Sequence, residues 1–257
     1  MIILALDAEI PSTTLIPLAG LLAIGLALVH IFAYRLRFLD ITPRSRWLSF
    51  GSGVSVAYVF VHILPDLSHF QTTLPDSVPE RLAFLEHHVY LMALLGLAMF
   101  YGLERVAKIS RQRSQEAGNG DVTEAKVFWL HIVSFGLYNL LIGYLLLHRE
   151  EPGYASLLLF SFAMALHFVV NDYGLHQHHK KAYVKIGRWI LAATVIAGWA
   201  IGSHSEVPHA VIALLFSFLA GGIVLNVLKE ELPEERDSRF WTFAFGATGY
   251  AALLLFI

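Results

Sequence analysis

The 257-residue chain contains no cysteine. Disulfide staples, thiolate metal centres and haem–thiolate chemistry are therefore excluded. Charge is also scarce: 15% of residues are Asp, Glu, Lys or Arg, where soluble domains carry about a quarter. No basic patch with interleaved aromatics is present, so no nucleic-acid partner is expected. The formal net charge of −2 points to no partner class. No polar stretch is long enough to bury a core of its own, so no soluble domain is expected. The start, "MIILALDAEIPSTTLIPLAG", lacks a positive leader region and carries Asp7 and Glu9. It reads as a short outer tail entering the first span rather than a cleaved signal.

What fills the chain instead is apolar. Hydrophobic residues make up 56% and the mean hydropathy is +0.61. A bilayer helix takes about 20 such residues. On that ruler the chain divides into eight spans, at about 14–34, 47–65, 85–104, 128–147, 155–175, 185–202, 208–228 and 240–257. The separators are charged or turn-like, among them "RLRFLDITPRSR", "RQRSQEAGNGD", "HREEPG", "HHKKAYVK" and "KEELPEERDSR". The expected fold is an all-α membrane protein, an eight-helix bundle forming one polytopic domain over 1–257.

Loop charge orients it. Of the 18 Lys and Arg residues, all but Arg81 and Arg149 fall in the four loops of one side. Cytoplasmic loops carry the Lys/Arg excess, so both termini are expected outside. The localisation that follows is a plasma or inner membrane.

Polar residues inside such spans need explaining, because a charge at a bilayer helix centre costs about 2.5–3.5 kcal/mol on insertion scales. In "ALHFVVNDYGLHQHHKK" the residues His167, Asn171, Gly174 and His178 share one helical stripe, with Asp172 to its side. Imidazole and amide oxygen suit borderline divalent ions such as Zn²⁺ and Fe²⁺. The glycine would admit an ion or helix closely. The alternative is hydrogen bonding between helices, with Asp172 reaching toward Lys180 or Lys181.

The fourth span gives a second stripe, His131, Ser134 and Tyr138, as ligand-bearing face or polar packing seam. His62, Asp66 and His69 lie on one face at the outer end of span 2, where Pro65 distorts the last turn. His62 and Asp66 could collect a cation at an outer mouth; His69 reads as an ordinary wet helix end. In span 7, Gly222, Asn226 and Glu230 follow at i+4 steps, against the alternative of a small-residue packing face at Ala220, Gly221 and Gly222. His176, His178 and His179 form a histidine cluster placed in a cytoplasmic loop, an exit or sensing site. His87 and His88 sit at the outer start of span 3.

Taken together, "LSFGSGVSVAYVFVHILPDL" and "SFLAGGIVLNVLKEELPEE" resemble the second and seventh helices of the ZIP (zinc/iron permease) family. Eight spans with both termini outside resemble that family too. The resemblance implies a divalent metal ion, Zn²⁺ or Fe²⁺, as transported substrate, with no tightly bound cofactor and no enzymatic activity. It implies a site between spans 4 and 5: His167, Asn171 and Asp172 on span 5, His131 on span 4, and Glu230, with Asn226, from span 7.

The departures are specific. The family's His-Asn-acid pattern on helix 4 is replaced by Ser134, Phe135 and Tyr138, with Asn139 at the glycine. On helix 5, Phe168 replaces a ligand and Val170 a proline. Span 6 has no acid to match the family's. A site with fewer carboxylates leaves more of the ion's charge uncompensated.

Three functions follow. The first is alternating-access transport of a divalent metal. The second is a membrane sensor or scaffold that kept the fold and lost part of the site. The third, a histidine-box membrane metalloenzyme, is disfavoured because its histidines would lie on opposite sides. The lipid bilayer and the metal ion are the partners implied, and a homodimer is compatible with the sequence.

Overall fold

The computed structural model describes residues 12–35, 46–73, 89–118, 120, 123–149, 153–231 and 239–255. Among these the fold is all helix: α1 Ser12–Phe32, α2 Arg46–Tyr58, α3 Leu64–Thr73, α4 Val89–Glu116, α5 Ala125–Leu145, α6 Tyr154–Ala182, α7 Arg188–Gly202, α8 His209–Asn226 and α9 Phe240–Leu255. Six stretches are long and apolar enough to cross a membrane; one, Tyr154–Gly202, includes both α6 and α7, and the shorter Phe240–Leu255 adds a seventh. The helices present large apolar side chains outward, Leu21, Leu94, Leu137 and Phe245 among them. In water such faces would be penalised at about 25 cal/mol per Å²; in lipid they are the solvated surface. This is a multi-pass membrane protein.

Several helices outrun the spans expected from hydropathy. The segment expected to end at residue 65 continues to Thr73. Pro65 lacks an N–H and its ring crowds the carbonyl four residues back. The helix absorbs this as a single wide π turn over Val59–Ile63 and then proceeds. Helix α4 runs on to Glu116, so the basic stretch after span 3 is helical and not loop. The histidine cluster is likewise not in a loop: α6 carries His176, His178 and His179 in its last turns. Hydropathy marks where lipid ends; the hydrogen-bond ladder does not stop there.

Lys180 breaks the ladder, with φ 42° and ψ −112°. A non-glycine residue at positive φ costs roughly 1–2 kcal/mol, and here it kinks α6 shortly before the π turn Tyr183–Gly187 and α7.

The chain forms two compact units, each assembled from distant segments. The first contains α1, the end of α4 from Gly102, α5, α6 and α7. Within it, α5 lies chiefly against α7 and touches α6 less, while α1 packs on α7 and α6. Gly143 and Gly198 allow the close α5–α7 crossing: a Cβ at Gly198 would strike the Leu140 carbonyl, and one at Gly143 the Val195 carbonyl. This is small-residue packing of the kind membrane helices use, since apolar contact alone favours a helix no more than lipid does. Phe128, Ile132, Leu175, Tyr183 and Leu191 complete the apolar core of this unit. Gly198→Leu should force α5 and α7 apart and destabilise by about 1–3 kcal/mol, read as a lowered melting temperature in detergent. The same change at Gly25, where nothing lies within reach of an added Cβ, should leave it unchanged.

The second unit contains α2, α3, the start of α4, α8 and α9. Gly53 and Gly246 meet the backbones of Phe243 and Phe50 across the α2–α9 crossing. Gly96 on α4 and Gly221 on α8 meet those of Phe218 and Ala93. The Ala220–Gly222 stretch is therefore a packing face, and Gly222 is filled by the Phe100 ring.

Candidate functional site

The buried histidines, asparagines and Asp172 of the first unit fall into three hydrogen-bonded groups. The first joins α1 to α6. Asp172 is fully buried, and both its oxygens lie within 3.0 Å of His30 Nδ1. Asn139 of α5 donates its amide Nδ2 to His30 Nε2 at 2.9 Å. Nε2 must then be unprotonated, so the ring proton sits on Nδ1 facing the carboxylate. The Tyr183 hydroxyl donates to the His30 carbonyl at 3.4 Å. Phe168 covers the imidazole, with ring centroids 4.2 Å apart.

The second group lies one turn along α6. His167 is buried, and its Nε2 accepts from the Tyr138 hydroxyl at 2.6 Å and from the Asn171 amide at 2.9 Å. Two donors on one nitrogen leave its lone pair occupied. A metal ion could take that nitrogen only by displacing them.

The third group sits where the ends of α4, α5 and α6 meet. His131 Nε2 contacts the Leu103 carbonyl at 2.7 Å. A carbonyl can only accept, so the His131 proton is on Nε2 and its Nδ1 is an acceptor. His179 must then donate from Nε2 to His131 Nδ1 at 2.8 Å. That leaves His179 Nδ1 to accept from the Thr123 hydroxyl at 2.6 Å. One consistent direction runs from Thr123 through both imidazoles to Leu103. Beside it, His178 donates from Nε2 to Glu104 at 3.0 Å and accepts from Arg111 at 3.2 Å. His176 faces Tyr34 and Tyr183 instead.

The stripes expected to share one interior are thus divided. His167, Asn171 and Tyr138 meet. Asp172 pairs with His30, not with Lys180 or Lys181, and His131 joins His179. Ser134 is buried on α5. Gly174 has nothing within 4 Å of a Cβ position, so no helix among the described residues approaches there. Asn226 belongs to the second unit, and the Glu230 side chain lies outside the described residues, as do His87, His88 and the first eleven residues. His62 and Asp66 stand 3.6 Å apart, half-buried, as an i,i+4 pair in the second unit, and His69 is exposed. No three His, Asp or Glu side chains converge to hold a metal among the described residues.

Sequence reasoning missed His30, Asn139 and Thr123. His30 had a usable signal, a lone histidine in the run "GLALVHIFAY", where lipid penalises it. Thr123 had none. No protein-family model, curated protein or solved structure matches this chain.

Proposed function

We propose that this chain is a multi-pass transporter of a divalent metal cation, with its polar interior carried by the unit of α1, α5, α6 and α7. The observation that carries the reading is the fully buried Asp172–His30–Asn139 group beside His167. Ionisable side chains at membrane depth are expensive and mark ion pathways. The donor set, imidazole with one carboxylate and amides, suits Zn²⁺ or Fe²⁺ better than Mg²⁺ or Ca²⁺. Two units with separate cores also suit a mechanism in which one bundle moves against the other.

On this reading α6 and α7 are separate spans. The 49 residues of Tyr154–Gly202 would stretch to more than twice the roughly 30 Å of a hydrocarbon core at 1.5 Å per residue. The count is then eight, with both termini outside in a plasma or inner membrane, and the resemblance to ZIP permeases is retained as a proposal. Gln115→Cys should be labelled from the cytoplasm and Thr73→Cys from outside. Labelling of both from one side would overturn the orientation.

A second reading, a membrane sensor or scaffold, is favoured by a specific observation: the buried imidazoles and Asp172 are already hydrogen-bonded, and no three-ligand group is found among the described residues. Uptake of Zn²⁺, Fe²⁺, Mn²⁺ and Co²⁺ by vesicles reconstituted with the purified protein separates the two. Protein-dependent uptake of Zn²⁺ or Fe²⁺ supports transport, and background uptake of all four rejects it.

A further inference from the structure

We infer that Arg35 and Arg188 form a binding site for the phosphate of an anionic phospholipid at the membrane boundary. The two arginines come from the 3₁₀ turn after α1 and the first residue of α7, and both reach Tyr34. Arg35 Nε donates to the Tyr34 hydroxyl at 3.0 Å, and the Arg188 guanidinium lies over the Tyr34 ring. Their charged carbons lie 5.5 and 4.5 Å from the Tyr34 ring centre. Two like charges are thus drawn to one phenol.

Neither arginine has a carboxylate partner among the described residues. Arg188 spends one donor on the Ile31 carbonyl at 2.9 Å, and its Nε–H, shut off from solvent, has no acceptor among the described residues. A pair of guanidinium forks short of acceptors matches a phosphate, whose oxygens accept from several N–H groups at once.

The position selects the source of that phosphate. Exposed Phe32 and half-exposed Trp189 flank the pair, and each lies under one of the two guanidiniums. Aromatic rings of this kind lie at headgroup level, and basic pockets between helix ends on the cytoplasmic side take anionic headgroups. A lipid would bring both the phosphate and the acyl chains that these rings expect beside them. The site is independent of the transport reading, because it uses none of the buried histidines.

The test is native mass spectrometry of the purified full chain in a neutral detergent, titrated with dioleoylphosphatidylglycerol or dioleoylphosphatidylcholine. Wild type should retain one phosphatidylglycerol in preference to phosphatidylcholine, and Arg188→Gln should weaken that retention by at least about tenfold. Because Arg188 also holds the end of α1, Arg35→Gln is the second variant, since Arg35 bonds no backbone carbonyl among the described residues, and should weaken it too. Equal retention of both lipids, or unchanged retention in both variants, would overturn the site. Release of the bound lipid by excess inorganic phosphate would overturn the lipid assignment in favour of a free anion.

Discussion

Asp172→Ala is expected to destabilise the protein by about 1.5–3 kcal/mol, the range for a hydrogen bond to a charged group. The carboxylate has no contact with solvent, and His30 approaches both its oxygens within hydrogen-bond distance. The magnitude decides between two descriptions. If Asp172 were neutral and merely hydrogen-bonded, the loss should resemble that of ordinary interhelical bonds in membranes, about 0.6 kcal/mol on average and under about 2. If it is ionised and accepts from the neutral His30 ring, the larger figure applies, and His30→Ala should cost more, about 3–5 kcal/mol, because it strands the carboxylate. Replacing both, as His30→Phe with Asp172→Leu, should recover most of the loss. What remains should be the orphaned Asn139 amide, about 1–3 kcal/mol. Equilibrium unfolding in mixed detergent micelles, run as a double-mutant cycle, gives each term. A cost near 0.6 kcal/mol for Asp172→Ala would mean that the carboxyl is not ionised.

That pair also shows where sequence reading stops. The apolar runs identify the membrane segments because lipid imposes one local requirement, about 20 apolar residues, wherever the chain crosses. Gly221 and Gly222 were readable as a packing face for a similar reason: small residues in an apolar helix have few other uses. The helical stripe likewise brought His167 and Asn171 together, since spacing within one helix is a local property. His30 and Asp172 are 142 residues apart, and no periodicity connects them. On its own helix face Asp172 stands off the stripe. Its partner is decided by how α1 packs on α6.

The same limit applied at the far end of α6. The cluster "HQHH" looked like loop because charge and histidine follow it, yet His179 is buried between His131 and Thr123. Polar residues past the lipid boundary can remain helical when a neighbouring helix end supplies their hydrogen bonds, and composition carries no record of that neighbour.

His167 is where the second large effect is expected. Its Nε2 is the atom that a cation would need, and at present it serves as the acceptor for Tyr138 and Asn171. If a metal ion takes this nitrogen during transport, His167→Ala removes a ligand outright. Affinity should then fall by well over tenfold, since losing even a partner behind a ligand typically costs about 10–100-fold. Tyr138→Phe removes a competitor for the lone pair while leaving the imidazole in place, so it should preserve or tighten metal binding. His167→Phe should fold, because an apolar ring inserts into that span at little cost, and should fail to bind. Protonating the imidazole abolishes ligation, so wild-type affinity should weaken as pH falls. If His167 only holds α5 to α6, the pattern changes. His167→Ala and Tyr138→Phe should then both lower the melting temperature, each by losing the same hydrogen bond, and neither should alter Zn²⁺ or Fe²⁺ affinity. Calorimetric titration of wild type and the three variants with each ion distinguishes these outcomes. Equal affinity in wild type and His167→Ala would remove His167 from any metal path and leave it as a packing contact between two helices.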